Sequence, residues 1–253
     1  MIDTHCHLHD KQFEADRERT VARALDAGVT EMLTVGCDLE DSRRAIEVAN
    51  RFGLRASVGI HPHEAKDAPR DVASAFASLL DDRTVVAIGE TGLDYYYDHS
   101  PRDVQAQVMR AQVRYARERD FPLIFHQRDA FDDFVAILRE ELVPGMRGVV
   151  HCFTGNSREA LTFVREFKLM LGIGGVVTFA NAAPLRQAVR DAGLESIVLE
   201  TDCPYLAPVP MRGRRNEPAF VVHTCGKVAE ILGIGIGEVA ASTDHNASRL
   251  FEI

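Results

Sequence analysis

Long apolar runs are missing from this sequence: none approaches the roughly 18 residues of a membrane span, so a spanning helix is not expected. The first residues carry His5, His7, His9 and Asp10 where a secretory signal needs an apolar stretch, so the expected location is the cytoplasm. Cysteine is sparse. Cys6, Cys37, Cys152, Cys203 and Cys225 are scattered, odd in number and without a C-x-x-C pair, which argues against a disulfide framework. Positive charge is also short, with 29 Lys and Arg against 38 Asp and Glu and a formal net charge of -9. That balance excludes a broad basic field for nucleic acid, and any phosphate-bearing substrate must be attracted locally. No low-complexity segment, charge block or Pro/Ser-rich linker offers a domain boundary, so residues 1–253 are expected to form a single domain.

What is present is ample core material, 46% hydrophobic and 26% charged residues in 253, a length that suits one (β/α)8 TIM barrel of about 250 residues. Eight short apolar runs begin near Ile2–His5, Glu31–Gly36, Leu54–Ile60, Val85–Gly89, Leu123–His126, Gly148–His151, Leu169–Ile173 and Ile197–Glu200. Between them, stretches such as Asp16–Ala27, Asp41–Phe52, Val72–Leu80, Arg102–Arg119 and Phe131–Glu140 repeat apolar residues at helical spacing. Strand alternating with helix is the signature of parallel strands with helical crossovers. Gly28 and Gly53 fall where helix C-caps are expected, and Pro122 opens the fifth strand. The one long irregular stretch, Thr201–Pro218, follows the eighth strand, and loops of that length are usually functional or mobile.

Chemistry concentrates at the strand ends. His5 and His7 alternate on the first strand and so share a face, whereas Cys6 points away. Glu90 closes the fourth run, His126 the fifth and His151 the sixth, and Asp202 lies just past the eighth. A lone histidine at any of these positions is more often structural. Six ligand-type residues at five strand ends are another matter, because a barrel gathers its strand C-termini on one rim. Nitrogen and oxygen donors suit zinc, manganese, nickel or iron better than an all-oxygen magnesium or calcium site. Zinc, manganese, magnesium and nickel all stay in the candidate set. Six donors exceed the needs of one tetrahedral catalytic zinc, and two ions sharing Glu90 as a bridge is the economical reading.

The motifs Asp3-Thr-His-Cys-His-Leu8, Gly59-Ile-His-Pro-His63, Gly89-Glu-Thr-Gly-Leu-Asp94, His126-Gln-Arg-Asp-Ala130, His151-Cys-Phe-Thr-Gly155, Glu200-Thr-Asp-Cys-Pro-Tyr205 and Arg215-Asn-Glu-Pro218 occur in this order along the chain. Together they resemble the TatD-type metal-dependent deoxyribonucleases, within the wider amidohydrolase-like set of barrel hydrolases. The resemblance implies one ion held by His5, His7, Glu90 and Asp202 and another by Glu90, His126 and His151. Many of the wider set bridge their metals with a carboxylated lysine, and Glu90 in that place favours the nuclease branch.

The activity expected is a divalent-metal-dependent phosphodiesterase, an exonuclease on single-stranded or frayed DNA ends that uses a hydroxide held between the ions. Asp202 is the candidate for orienting and deprotonating the water, with Glu90 beside it. His61 and His63 repeat the alternate spacing at the third strand end and are placed near substrate. Arg128 and Arg215 are candidate phosphate grips, whereas Arg212 and Arg214 read as a solvated cluster. Tyr95, Tyr96, Phe153 and Tyr205 lie beside the ligand motifs, where packing is commoner than stacking on a base; Tyr95 is retained as a substrate contact. His9, His99, His223 and His245 have no convergent partners. An amide or ester hydrolase, or an aminoacyl-tRNA deacylase, would use the same ligand set on carbonyl carbon, and a non-catalytic metal-binding scaffold is the third reading. A monomer is the default.

Overall fold

The computed structural model describes Met1–Ile253. Eight strands follow one another as β1 (Ile2–Cys6), β2 (Glu31–Val35), β3 (Arg55–Val58), β4 (Val85–Asp94), β5 (Leu123–Arg128), β6 (Gly148–Val150), β7 (Met170–Ile173) and β8 (Ile197–Leu199). Helices α1 (Arg17–Asp26), α2 (Leu39–Phe52), α3 (Val72–Phe76), α4 (Arg102–Arg119), α5 (Phe131–Glu141), α6 (Ser157–Leu161) and α7 (Ala183–Ala192) separate them, and α8 (Val221–Leu232) and α9 (Ile236–Phe251) follow β8. Strand order equals chain order, β1 to β8, in one eight-stranded sheet. This is the topology of the expected (β/α)8 barrel. No single helix is long and apolar enough to cross a membrane.

Local chemistry explains the element ends. The Asp38 carboxylate caps α2 by accepting from the Asp41 N–H at 2.7 Å, and Gly53 ends that helix at φ +69°, a left-handed conformation that glycine adopts without strain. α4 ends at Asp120, also left-handed, and Pro122 leads directly into β5.

The chain divides into two compact units, Met1–Thr34 with Cys152–Ile253, and Val35–His151. In the first, β7 and β8 pair in parallel through Leu171–Ile197, Gly172–Val198 and Ile173–Leu199. β1 and β2 pair from Ile2–Glu31 to Cys6–Thr34. In the second, β3, β4, β5 and β6 pair in sequence, and Phe125 on β5 meets Phe134 on α5 edge to face at 5.4 Å, a contact worth about 1 kcal/mol beyond burial.

One boundary differs from expectation. The fourth apolar run was expected to span Val85–Gly89 with Glu90 closing it, but β4 runs on to Asp94 beside β5. Gly92 has φ +152°, and a Cβ there would collide with the His126 carbonyl. Glycine therefore lets two backbones approach beside Glu90 and His126 instead of ending the strand.

Candidate metal centre

In the unit Val35–His151 the donors gather on one carboxylate oxygen. Glu90 Oε1 lies 2.8 Å from His126 Nδ1, 3.4 Å from His151 Nε2 and 3.4 Å from His61 Nε2. Glu90 and His151 are buried. Ligand atoms that each sit about 2.0–2.2 Å from one cation must lie roughly 3–3.5 Å from each other. The observed spacings fit that requirement, so these residues are of the right kind and reach for a divalent ion.

His126 is oriented from behind. Its Nε2 faces Asp94 Oδ2 at 3.0 Å while Nδ1 faces Glu90, the carboxylate–histidine arrangement that fixes a metal-binding imidazole. Burial disfavours the His126 cation, but the hydrogen bonds to Asp94 and Glu90 outweigh it and raise its pKa. Asp94 is buried, which favours its neutral form. Hydrogen bonds from His126, His63 and the Tyr97 backbone reverse that and hold its carboxyl well below the usual range. The backbone of Asp94 is clamped in turn: its N–H donates to Gln105 Oε1 at 2.8 Å, and Gln105 Nε2 donates to its carbonyl at 3.1 Å. Two helical turns on, Gln112 joins the Ile60 backbone to Thr91 Oγ1.

His61 also faces Glu90. Its Nδ1 accepts the His63 N–H at 3.1 Å, which leaves the ring proton on Nε2. Burial pushes its pKa down to about 4, so the ring is neutral at pH 7. Proximity groups His61 with Glu90 and His126, but a protonated Nε2 is a donor and not a metal ligand. His63 Nε2 reaches Asp94 Oδ2 at 3.0 Å.

In the other unit, Asp202 Oδ1 lies 3.4 Å from His7 Nε2 and 3.9 Å from His5 Nε2. The chain after β8 is laid alongside β1: the Asp202 N–H donates to the His5 carbonyl and the His7 N–H to the Cys203 carbonyl, each at 2.8 Å. Asp202 takes φ +57°, a conformation a non-glycine residue holds at some cost and one found often at functional sites. Asp3 is turned to Thr201, accepting from its N–H at 2.9 Å and its hydroxyl at 2.6 Å. Burial raises the Asp3 carboxyl to about 8. Asn216 pins the long loop by donating to the carbonyls of Thr201 and Tyr205. Pro218 then starts the turn into α8, so that part of the Arg-Asn-Glu-Pro motif shapes the chain.

The expected substrate contacts fare differently from one another. Both Arg215 Nη atoms pair with Asp16 at 2.8 Å, and the guanidinium lies over Phe13 at 4.4 Å. Any phosphate would have to displace that clamp. Tyr95 donates its hydroxyl to Asp133 at 2.8 Å, and Arg102 covers its ring at 4.1 Å. Phe153 is buried against Phe163. Arg128 instead lies over the rings of Tyr96 and Tyr97. Asp94, Gln105 and Gln112 were given no role from the sequence, and His99, expected to have no convergent partner, lies 4.7 Å from the His63 ring and 5.6 Å from that of Tyr97. The acid in the Gly-Leu-Asp motif was the available signal for Asp94, and two glutamines seven residues apart on the inner face of a helix were the signal for Gln105 and Gln112.

Fold and donor set together define a barrel hydrolase of the metal-dependent class. The model of the TatD related DNase family matches residues 2–252, and the chain belongs to that family. It is similar to the uncharacterized metal-dependent hydrolase YabD of Bacillus subtilis, at 39% identity over 100% of this chain and 99% of that protein. It is also similar to the 3′-5′ ssDNA/RNA exonuclease TatD of Pantoea ananatis, at 38% identity over 99% of each chain. Among solved structures, the TatD homologue YJJV of Escherichia coli superposes with a TM-score of 0.93 at 28% identity, covering 100% of this chain and 98% of that one. The (β/α)8 expectation is borne out by this similarity.

Proposed function

We propose that the chain is a divalent-metal-dependent phosphodiesterase, an exonuclease that trims single-stranded or frayed DNA ends in the 3′ to 5′ direction. The observation that carries this reading is the convergence of His126 and His151 on one oxygen of Glu90, which the His61 Nε2–H also faces. The exonuclease name of the Pantoea relative supports the substrate and the direction. In this reading residues 1–253 work as one domain, as a cytoplasmic monomer. His5, His7, Glu90 and Asp202 hold one ion, and Glu90, His126 and His151 hold the other. Bound there, two divalent ions lower the pKa of water and neutralise charge on the phosphoryl group.

The chain's own side chains supply position and proton transfer. Asp202 orients the attacking water and takes its proton as the oxygen adds to phosphorus and the far ester P–O bond breaks. His61, neutral and carrying its proton on Nε2, donates to a phosphoryl oxygen, with His63 beside it. Asp94 keeps the His126 ring fixed throughout. Arg128 supplies the local positive charge that the acidic exterior lacks. Arg215 fits the architectural clamp on Asp16 better than the phosphate grip first expected.

The test is a time course on single-stranded oligonucleotides labelled separately at each end, using metal-stripped protein and a series of added divalent ions. Cleavage only after metal addition, with stepwise loss from the 3′ end and little cutting of closed duplex circles, is expected. Equal cutting of circles and linear ends would overturn the exonuclease reading. Carbonyl ester or amide hydrolysis without any oligonucleotide cleavage would overturn the nuclease reading.

A further inference from the structure

Immediately after β4 the chain exposes two large rings in succession. Tyr96 is 58% and Tyr97 50% exposed, unusual for tyrosines so close to a buried catalytic-type cluster. Their position is fixed by the backbone, because both N–H groups donate to Asp94 Oδ1 at 3.0 Å while the other oxygen of that carboxylate holds His126 and His63. The rings meet edge to face at 4.8 Å. Tyr97 stacks parallel to His99, with ring centres 5.6 Å apart and planes 4° apart, and its edge approaches His63 at 5.4 Å. The Arg128 guanidinium lies 4.1 Å from the Tyr96 ring centre and 4.8 Å from that of Tyr97. It is an exposed cation held by aromatic faces, whereas Arg215 is held by a carboxylate.

We propose that Tyr96, Tyr97 and Arg128 form a nucleobase platform that receives a base of the single strand whose phosphate lies at the Glu90 cluster. The assignment rests on the exonuclease reading and deepens it. Aromatic faces bind bases without regard to sequence because every base has a π-face, and an arginine plane in the same stack adds cation–π attraction while its N–H groups remain available to a phosphate. Packing does not account for the two rings, since about half of each faces solvent. Nor does the acidic exterior favour DNA elsewhere, so a stacking surface with one unneutralised cation suits an anionic polymer that must be held at its end. Asp94 makes the geometry economical. One carboxylate sets both the imidazole facing Glu90 and the backbone carrying the rings, so base position and phosphate position are mechanically linked.

The test uses the full-length chain with its divalent ions bound, on strands whose 3′-terminal linkages are non-hydrolysable so that binding is read without cutting. A short single strand with 2-aminopurine at its 3′-terminal nucleotides, and a matched strand with abasic residues there, are titrated against wild type, Tyr96→Ala/Tyr97→Ala and Tyr96→Phe/Tyr97→Phe. Wild type is expected to bind the base-bearing strand about tenfold more tightly than the abasic one and to quench 2-aminopurine. The alanine pair should lose both the preference and the quenching, and the phenylalanine pair should keep both. A preference that survives in the alanine pair, or that wild type never shows, overturns the platform. Thermal melts of the variants check that the exposed substitutions leave the fold intact. Cleavage of the labelled oligonucleotide by metal-loaded wild type is scored separately. Its absence counts against the exonuclease reading, and its presence alongside unchanged binding by the alanine pair counts against the platform alone.

Discussion

At the scale of the residue, Asp94 shows how one carboxylate orients the imidazole that faces Glu90. It receives His126 Nε2 at 3.0 Å and so leaves Nδ1 directed at Glu90. Asp94→Asn is expected to weaken metal binding roughly 10- to 100-fold, as loss of an outer carboxylate partner commonly does, and calorimetric metal titration of wild type and variant measures it directly. Asp202→Asn separates two roles. If Asp202 takes the proton as well as holding metal, saturating metal restores occupancy but not rate, and metal content measured beside kcat checks this. A third expectation concerns pH. The hydrogen bonds and charge of Arg215, with Arg23 adding to them, hold the Asp16 carboxyl at about 2, below its ordinary value of 3.8. Because the folded-state pKa is depressed, the stability it confers is present above the ordinary value and is lost as pH falls toward 2. The Tm gap between wild type and Asp16→Asn should therefore be constant from pH 7 to 5 and shrink between pH 4 and 2. The ligand-type residues were legible in the sequence because strand ends announce them. Arg215 was misread because sequence shows a charge but not that its partner, Asp16, lies 199 positions away.

At the scale of the element, β4 carries the most consequence. Glycine at 89 and 92 disguises a ten-residue strand as a five-residue one. Its continuation places Gly92, Leu93 and Asp94 beside His126, Gln127 and Arg128 of β5. Gly92→Ala should cost about 2 kcal/mol or more, since it combines a disfavoured φ with a collision against the His126 carbonyl. Urea unfolding should show the loss, with His126 displaced enough to lower metal affinity as well. The regular strands and the amphipathic helices α1, α2, α4 and α5 were legible from periodicity, because apolar spacing is dictated by the face each buries. The region after β6 was less so. There α6 is only five residues long and runs directly into a π-turn over Thr162–Glu166, too little chain for a period to establish itself.

At the scale of the whole molecule, a chain of net charge -9 that acts on a polyanion needs concentrated local charge, and in the proposed reading two divalent ions with Arg128 provide it. Cleavage should therefore depend on the ions and respond only moderately to monovalent salt, unlike a protein that binds through many phosphate contacts. Salt titration of KM at fixed metal tests this. The central claim is that Glu90 serves two cations. Anomalous diffraction from crystals of manganese-loaded protein tests it most directly. Two peaks are expected, both within bonding distance of the Glu90 carboxylate, one also bound by His126 and His151 and the other by His5, His7 and Asp202. A single peak, or peaks away from Glu90 in protein that cleaves DNA, would contradict the account.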